Sequence, residues 1–364
     1  MISNPATPLA EPMAFARGPV MANRFMLAPL TNLQSNADGT ASADDLRWYR
    51  MRAEGGFGLV MTCAAHVRAE GQGFPGQLGI FSDRHIPGLR HLAEAIRAAG
   101  SLSAVQLHHA GRRAPADLIG GRPVAPWDDA ETGARALVTA EVEEVIADFV
   151  AAAVRAERAG FDGVELHGAH GYLIGQFLDA GLNQRTDGYG GSYEKRTRVL
   201  WQAVDGIRAA TGPGFLLGVR LSPERFGILL PEARRLAGEL MASGRIDWLD
   251  MSLWDVFKKP QDEAFGERPL IDWFTDLPRG TTRLGVAGNI LDAKTATACR
   301  EHGADFVLIG RGAILNHDFP RRAIADPGFA ATARPVSRDH LGAEGLGRPF
   351  QDYLATQWKD FVAG

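Results

Sequence analysis

The densest cluster of chemistry-bearing side chains in the sequence is His167-Gly168-Ala169-His170-Gly171-Tyr172. Two imidazoles three residues apart on a turn can point the same way, and both then offer N–H donors to one carbonyl or nitro oxygen. Tyr172 follows two residues later. A phenol with an ordinary pKa of about 10 stays protonated at neutral pH, so it can give a proton to a developing carbanion. The same histidines also suit zinc, which takes three or four protein ligands, and His108 or His109 would complete such a set. A His-x-x-His pattern alone does not choose between these chemistries.

Other polar residues close otherwise apolar runs. Gln106 both donates and accepts, which suits a planar heterocycle carrying alternating N–H and C=O groups. Arg220 would stabilise negative charge on such a ring, or would make a structural ion pair. Further along, Gly288-Asn289 and Gly310-Arg311-Gly312 put small residues and free backbone amides after two successive apolar runs. Such turns admit a phosphate, and Arg311 would add charge-assisted bonds to it. Pro29, Leu30 and Thr31 follow the first apolar run and Ala64 the second.

These residues need a frame that gathers them, and the sequence repeats one. A short apolar run, a polar or glycine-rich loop and a helical pattern recur eight times. The runs lie at residues 24–27, 59–62, 102–106, 163–167, 216–221, 248–252, 283–286 and 306–309. Several are continuously apolar, as strands buried on both faces of a parallel sheet are. Between them Val142, Val145, Ile146, Phe149, Ala153 and Ala156 recur at helical spacing, with Thr139 expected as N-cap and Gly160 as terminator. Leu89, Leu92, Ala93 and Ile96 closed by Gly100 repeat that design, as do Ala293, Ala296 and Thr297 closed by Gly303. Alternating β and α units predict an α/β fold with a parallel sheet, and eight strands favour closure into a (β/α)8 TIM barrel. Active sites of such barrels sit at the C-terminal ends of the strands, where all the residues above fall.

Three stretches break the rhythm. Residues 111–138 and 254–269 are long loops after the third and sixth strands, expected as active-site covers or as plain surface insertions. Residues 333–364 form a tail with Tyr353, Trp358 and Phe361. The expected organisation is one barrel domain over 1–332, with an N-terminal hairpin, and a tail packing on the barrel or on a neighbouring subunit.

Bulk properties narrow the function. The 364 residues are 45 % hydrophobic and 23 % charged, as in an ordinary globular enzyme. A formal charge of −4 argues against a nucleic-acid partner, which needs a basic face. Two cysteines, Cys63 and Cys299, make neither a disulfide framework nor a four-thiolate site, so a cytoplasmic location is expected. Met1 to Val20 does not read as a signal peptide, and no apolar run approaches the roughly 20 residues of a membrane span.

The ordered motifs resemble the Old Yellow Enzyme family of FMN-dependent NAD(P)H:flavin oxidoreductases. The resemblance runs from about Phe15 to Phe319 and rests on five segments. They are NRFMLAPLT at 23–31, VQLHHAGR at 105–112, GFDGVELHGAHGYL at 160–173, DGYGGS at 187–192 and IGR at 309–311. It implies that Pro29, Leu30, Thr31, Ala64, Gln106, Arg220, Gly288, Asn289, Gly310 and Arg311 hold a tightly bound, non-covalent FMN. Thr31 would lie near the reactive edge of the flavin, Gln106 at its pyrimidine ring and Arg220 at the N1/O2 side. His167 and His170 would bind the oxygen of the substrate's activating group and Tyr172 would donate the proton.

The implied reaction is ping-pong. NADPH or NADH reduces FMN, and flavin N5 then gives hydride to the β-carbon of an α,β-unsaturated carbonyl or nitro compound while Tyr172 protonates the α-carbon. The partners expected are small electrophilic alkenes, with no nucleic acid and no membrane, in a monomer or homodimer. A related activity on amines, isomerisation of double bonds, and a zinc-dependent hydrolase on the same barrel are the alternatives. The resemblance assigns no role to the 254–269 loop or to the tail.

Overall fold

In the computed structural model, which describes residues 8–363, eight parallel strands close into a barrel. They are β1 (Phe25–Leu27), β2 (Leu59–His66), β3 (Leu102–His108), β4 (Gly163–Gly168), β5 (Leu216–Leu221), β6 (Trp248–Ser252), β7 (Arg283–Ala287) and β8 (Phe306–Ile309). Each pairs with its neighbours in sequence, and β1 closes the circle on β8 with Phe25 opposite Val307. Every apolar run read as a strand is one. The reading of Met1–Val20 falls partly on residues 1–7, outside those described.

Strand parity sorts the interior into layers. At the N-terminal end Met26, Leu59, Met61, Ala104, Leu216, Trp248 and Phe306 form an apolar plug. Gly218 and Gly285 make that layer possible: a Cβ at the first would fall within the Trp248 indole, and one at the second within the Phe306 ring. The chain start seals this end. Met13 and Met21 exchange backbone hydrogen bonds of 2.8 and 2.9 Å, and Phe15 lies 5.9 Å from the Trp248 ring. The next layer toward the C-terminal mouth is polar: Gln106, Glu165, Arg220 and Asp250, all buried.

Helices cover the barrel through one apolar stripe each. The ones that matter for the site are α1 (Ala43–Glu54), α2 (Ile86–Ala98), α3 (Thr139–Ala159), α4 (Leu173–Leu178) and α5 (Arg311–Leu315). Ser42 caps α1, its hydroxyl accepting from the Asp45 amide at 3.1 Å while Asp45 accepts from the Ser42 amide at 3.0 Å. Gly160 ends α3 at φ 90°, as its position predicts.

Thr139 is not the N-cap of α3. It opens the helix, Val138 precedes it in extended conformation, and Glu141 accepts from the Val138 amide at 2.9 Å. The Thr139 hydroxyl instead donates to Asp187 at 2.8 Å, an alternative partner supplied by a remote loop.

Beyond α5 the chain forms α6 (Phe319–Ala325), α7 (Arg338–Ala343) and α8 (Arg348–Gln357). The last two lie on α1. Phe350 meets Trp48 edge-on at 5.2 Å, and the buried Arg52 guanidinium donates to the Glu344 and Ala313 carbonyls at 2.6 and 2.9 Å. The Gly347 amide donates to Gln34 at 2.7 Å. Among the described residues no helix is long and apolar enough to cross a membrane.

Candidate active site

A cavity of about 680 Å3 opens at the C-terminal ends of the strands. Its lining contains every residue singled out from the sequence for cofactor or substrate: Pro29, Leu30, Thr31, Ala64, Gln106, His167, His170, Tyr172, Arg220, Gly288, Asn289, Gly310 and Arg311. Seven different strands deliver them, so the barrel closure itself gathers groups far apart in sequence.

The floor is set by the buried polar layer. The Gln106 Nε2 donates to Glu165 at 2.9 Å, and the Trp248 indole N–H donates to the other Glu165 oxygen at 2.9 Å. The carboxylate requires the amide nitrogen of Gln106, so its Oε1 remains for an N–H donor in the cavity. Arg220 lies against Asp250, with Nε 2.9 Å from Oδ2, though the angle leaves neither atom a hydrogen bond. Arg220 therefore both lies beside a buried acid and forms part of the cavity wall.

His167, His170 and Tyr172 stand on one side of the mouth. The ring centroids of the two histidines are 5.1 Å apart, and Tyr172 is 5.1 Å from His167. His170 sits at φ 60°, a left-handed conformation held by its amide donating to Ser222 at 3.0 Å. Its Nε2 pairs with the Ser252 hydroxyl at 2.8 Å, which leaves Nδ1 to face a ligand. In His167 the Ala169 amide donates to Nδ1 at 3.4 Å, so the proton belongs on Nε2. Burial, then neighbouring charge, holds both imidazoles well below the ordinary histidine pKa, so both are neutral N–H donors.

Tyr172 precedes α4, and burial raises its pKa. The Arg113 guanidinium, 4.7 Å from the ring, acts in the opposite direction. Gly171 at φ 69° makes the turn possible, and a Cβ there would crowd Phe226.

His108 and His109 do not join the donor pair. His108 packs behind Tyr172 at 4.3 Å and pairs through Nδ1 with Gln77 at 3.0 Å. Adjacent residues on a strand point oppositely, and His109 turns outward to receive the Gly111 amide at 3.0 Å. Among the described residues no three His, Cys, Asp or Glu side chains are grouped as metal ligands.

Across the mouth, Gly288 and Asn289 follow β7, and Gly310 and Arg311 start α5. Asn289 donates to Asp255 at 3.0 Å and accepts from Arg311 at 3.2 Å, so it orients the arginine. A Cβ at Gly288 would meet the 254–255 backbone at 2.9 Å. Burial lowers the Arg311 pKa, and Arg334 adds a second positive charge nearby.

Phe74, Phe226, Ser252, Ile290 and Leu291, to which the sequence motifs give no role, also line the cavity, along with Tyr353 and Trp358 and with Arg113 and Trp254 from the two loops expected as covers or surface insertions. Ser252 had a readable signal, since it ends β6 as the other polar wall residues end their strands. The rest come from loops and the tail. The charged side chains of the lining are Arg113, Arg220 and Arg311, with no carboxylate among them. The volume lies inside the range of small-molecule sites, roughly 300–1,000 Å3. A planar ring with an anionic tail fits this arrangement.

Residues 8–326 match the NADH:flavin oxidoreductase / NADH oxidase family. The chain belongs to this family. It is 39 % identical over 320 residues to a protein of Bacillus subtilis named "Probable NADH-dependent flavin oxidoreductase YqiG", covering 85 % of this chain and 86 % of that one. It is 35 % identical over 323 residues to an NADPH dehydrogenase of Halalkalibacterium halodurans, covering 86 % and 93 %. Of three longer relatives it spans 36 %, 54 % and 35 %. The Old Yellow Enzyme homologue of Zymomonas mobilis superposes with a TM-score of 0.78 at 29 % identity, over 92 % of this chain and 96 % of that one. The protein is thus an NAD(P)H-dependent flavin oxidoreductase of the Old Yellow Enzyme type, and the cofactor implied for its cavity is FMN.

Proposed function

We propose that this flavin oxidoreductase is an ene-reductase, reducing alkenes activated by a carbonyl or nitro group. The observation that carries the reading is the placing of two neutral imidazole donors and a protonated phenol around one cavity wall. A bound FMN would supply the redox chemistry, carrying hydride from NADH or NADPH to the alkene β-carbon.

The chain's own residues do the rest. Pro29, Leu30, Thr31 and Ala64 would border the ring, Gln106 would accept an N–H from it and Arg220 would offset its negative charge. Gly288, Asn289, Gly310 and Arg311 would take its phosphate. His167 Nε2 and His170 Nδ1 hold the substrate's activating oxygen, drawing electron density away from the β-carbon. Tyr172 passes its phenolic proton to the α-carbon, and the nearby Arg113 charge favours the phenolate left behind. Trp254, Phe226 and the tail residues Tyr353 and Trp358 shape the mouth and exclude water. The barrel domain spans 1–332, and the tail at 333–364 acts as part of the same site. The protein acts on small molecules in the cytoplasm, as a monomer or homodimer.

The test is stopped-flow analysis of Tyr172→Phe. Loss of a positioned acid slows reaction by about 10²–10⁴-fold, and the loss falls on alkene reduction while flavin reduction by NAD(P)H proceeds as before. Equal slowing of both half-reactions contradicts the role of Tyr172. Redox-neutral isomerisation would show itself as product formation under anaerobic conditions without NAD(P)H.

A further inference from the structure

The floor of the cavity holds one more carboxylate than it has charge to balance. Arg220 of β5 faces Glu165 of β4 and Asp250 of β6, and both acids are fully buried. The remaining inward groups nearby bring no charge. β3 gives Gln106, β7 gives Gly285 and Ala287, and β8 gives Phe306 and Leu308. Above them His170, bonded to Ser252, is neutral. Two ionised carboxylates beside a single guanidinium in a low-dielectric interior leave an unbalanced buried charge, which is costly enough that one acid keeps a proton.

The hydrogen bonds say which. Both oxygens of Glu165 accept N–H donors, from Gln106 and Trp248, and this favours its ionised form. Neither oxygen of Asp250 accepts any.

We infer that Asp250 is a proton-holding positioning residue for the flavin, neutral in the resting enzyme so that the Arg220 charge remains available to the ring. This rests on the reading that Arg220 faces the N1/O2 side. Reduction brings negative charge to that side and draws Arg220 toward it, so the reduced enzyme holds the Asp250 proton more tightly than the oxidised one. Above the resting titration of Asp250, reduction therefore takes up one extra proton from solvent. It adds to a carboxylate oxygen as an O–H bond, and nothing leaves. The two electrons come from NAD(P)H.

Burial, opposed by Arg220 and reinforced by Glu165, pushes the Asp250 pKa up to about 8. The midpoint potential of the bound flavin, measured against reference dyes from pH 6 to 10, then shows a break. Each proton taken up with two electrons contributes about 30 mV per pH unit. The wild-type slope steepens by that amount above about pH 8, whereas Asp250→Asn, which mimics the neutral acid, keeps one slope throughout. A wild-type slope that never steepens, or an Asn variant that steepens equally, overturns the inference.

Should Asp250→Asn fail to fold, redox-difference infrared spectra of the wild type at pH 9 decide. A protonated-carboxyl band growing on reduction supports the inference, and its absence overturns it. Arg220→Lys separates the placement of the guanidinium from the location of the proton. If it leaves the potential unmoved, the placement of Arg220 has failed; if it shifts the potential while Asp250→Asn behaves as wild type, the proton lies elsewhere.

Discussion

Glu165→Gln tests the floor of the site without touching any group that contacts substrate. The carboxylate accepts two N–H donors at 2.9 Å, from Gln106 and from Trp248. An amide has one oxygen to offer, and the indole N–H can only donate, so the substituted side chain must turn its oxygen to Trp248. Its NH2 then faces Gln106, which relieves the clash by flipping. That flip puts the Gln106 NH2 where the ring N–H would be received. A buried donor opposed by a donor costs about 1–3 kcal/mol, so FMN affinity falls roughly tenfold to a hundredfold. Flavin-fluorescence titration of the apoprotein reads this directly. FMN binding within twofold of wild type would refute the reasoning, because Gln106 would then not be oriented by Glu165 toward the ring.

Three further outcomes follow from the packing and the buried charges. Gly218→Ala places a methyl inside the Trp248 indole; overpacking of this kind costs about 1–3 kcal/mol or more, and urea melts should show it, with an unchanged midpoint counting against the interior layering. Phe350→Ala removes the edge contact with Trp48 and should cost about 3–5 kcal/mol, whereas a tail that contributes nothing to the barrel would leave the melt unmoved. Burial depresses His66 to about 4 and His109 to about 3. These folded values lie below the unfolded one, so the unfolded chain binds more protons as pH falls and stability is full only above about pH 6.5. Each histidine should cost about 2 kcal/mol at pH 5 relative to pH 7.5, and equal urea midpoints at the two pH values would contradict their burial as neutral groups.

Much of this site was legible because a barrel converts sequence order into spatial order. Each strand ends at the same rim, so Gln106, His167 and Arg220 could be assigned to one cavity from strand position alone. Their inward orientation follows from period two, which also separates His108 from His109. The same rule marks Glu165 two residues before His167 and Asp250 two after Trp248 as interior acids, a signal that lies below the strand ends where the other site residues cluster. Phe226 and Phe74 were not legible, and Arg113 only as part of the 111–138 loop, since these segments reach the mouth through contacts with no sequence period. The Arg113 guanidinium, for example, is held by the His170 carbonyl at 2.6 Å, a partner 57 residues away. Thr139 shows the limit in a helix: local capping preference lost to a hydrogen bond with Asp187.

The most direct test of the account is anaerobic titration of the purified holoenzyme with NAD(P)H in the spectrophotometer, followed by 2-cyclohexenone. Flavin absorbance should bleach with the reductant and return when the enone is added, as saturated ketone accumulates. Flavin that bleaches but stays reduced in the presence of activated alkenes of both the carbonyl and nitro classes would contradict the account.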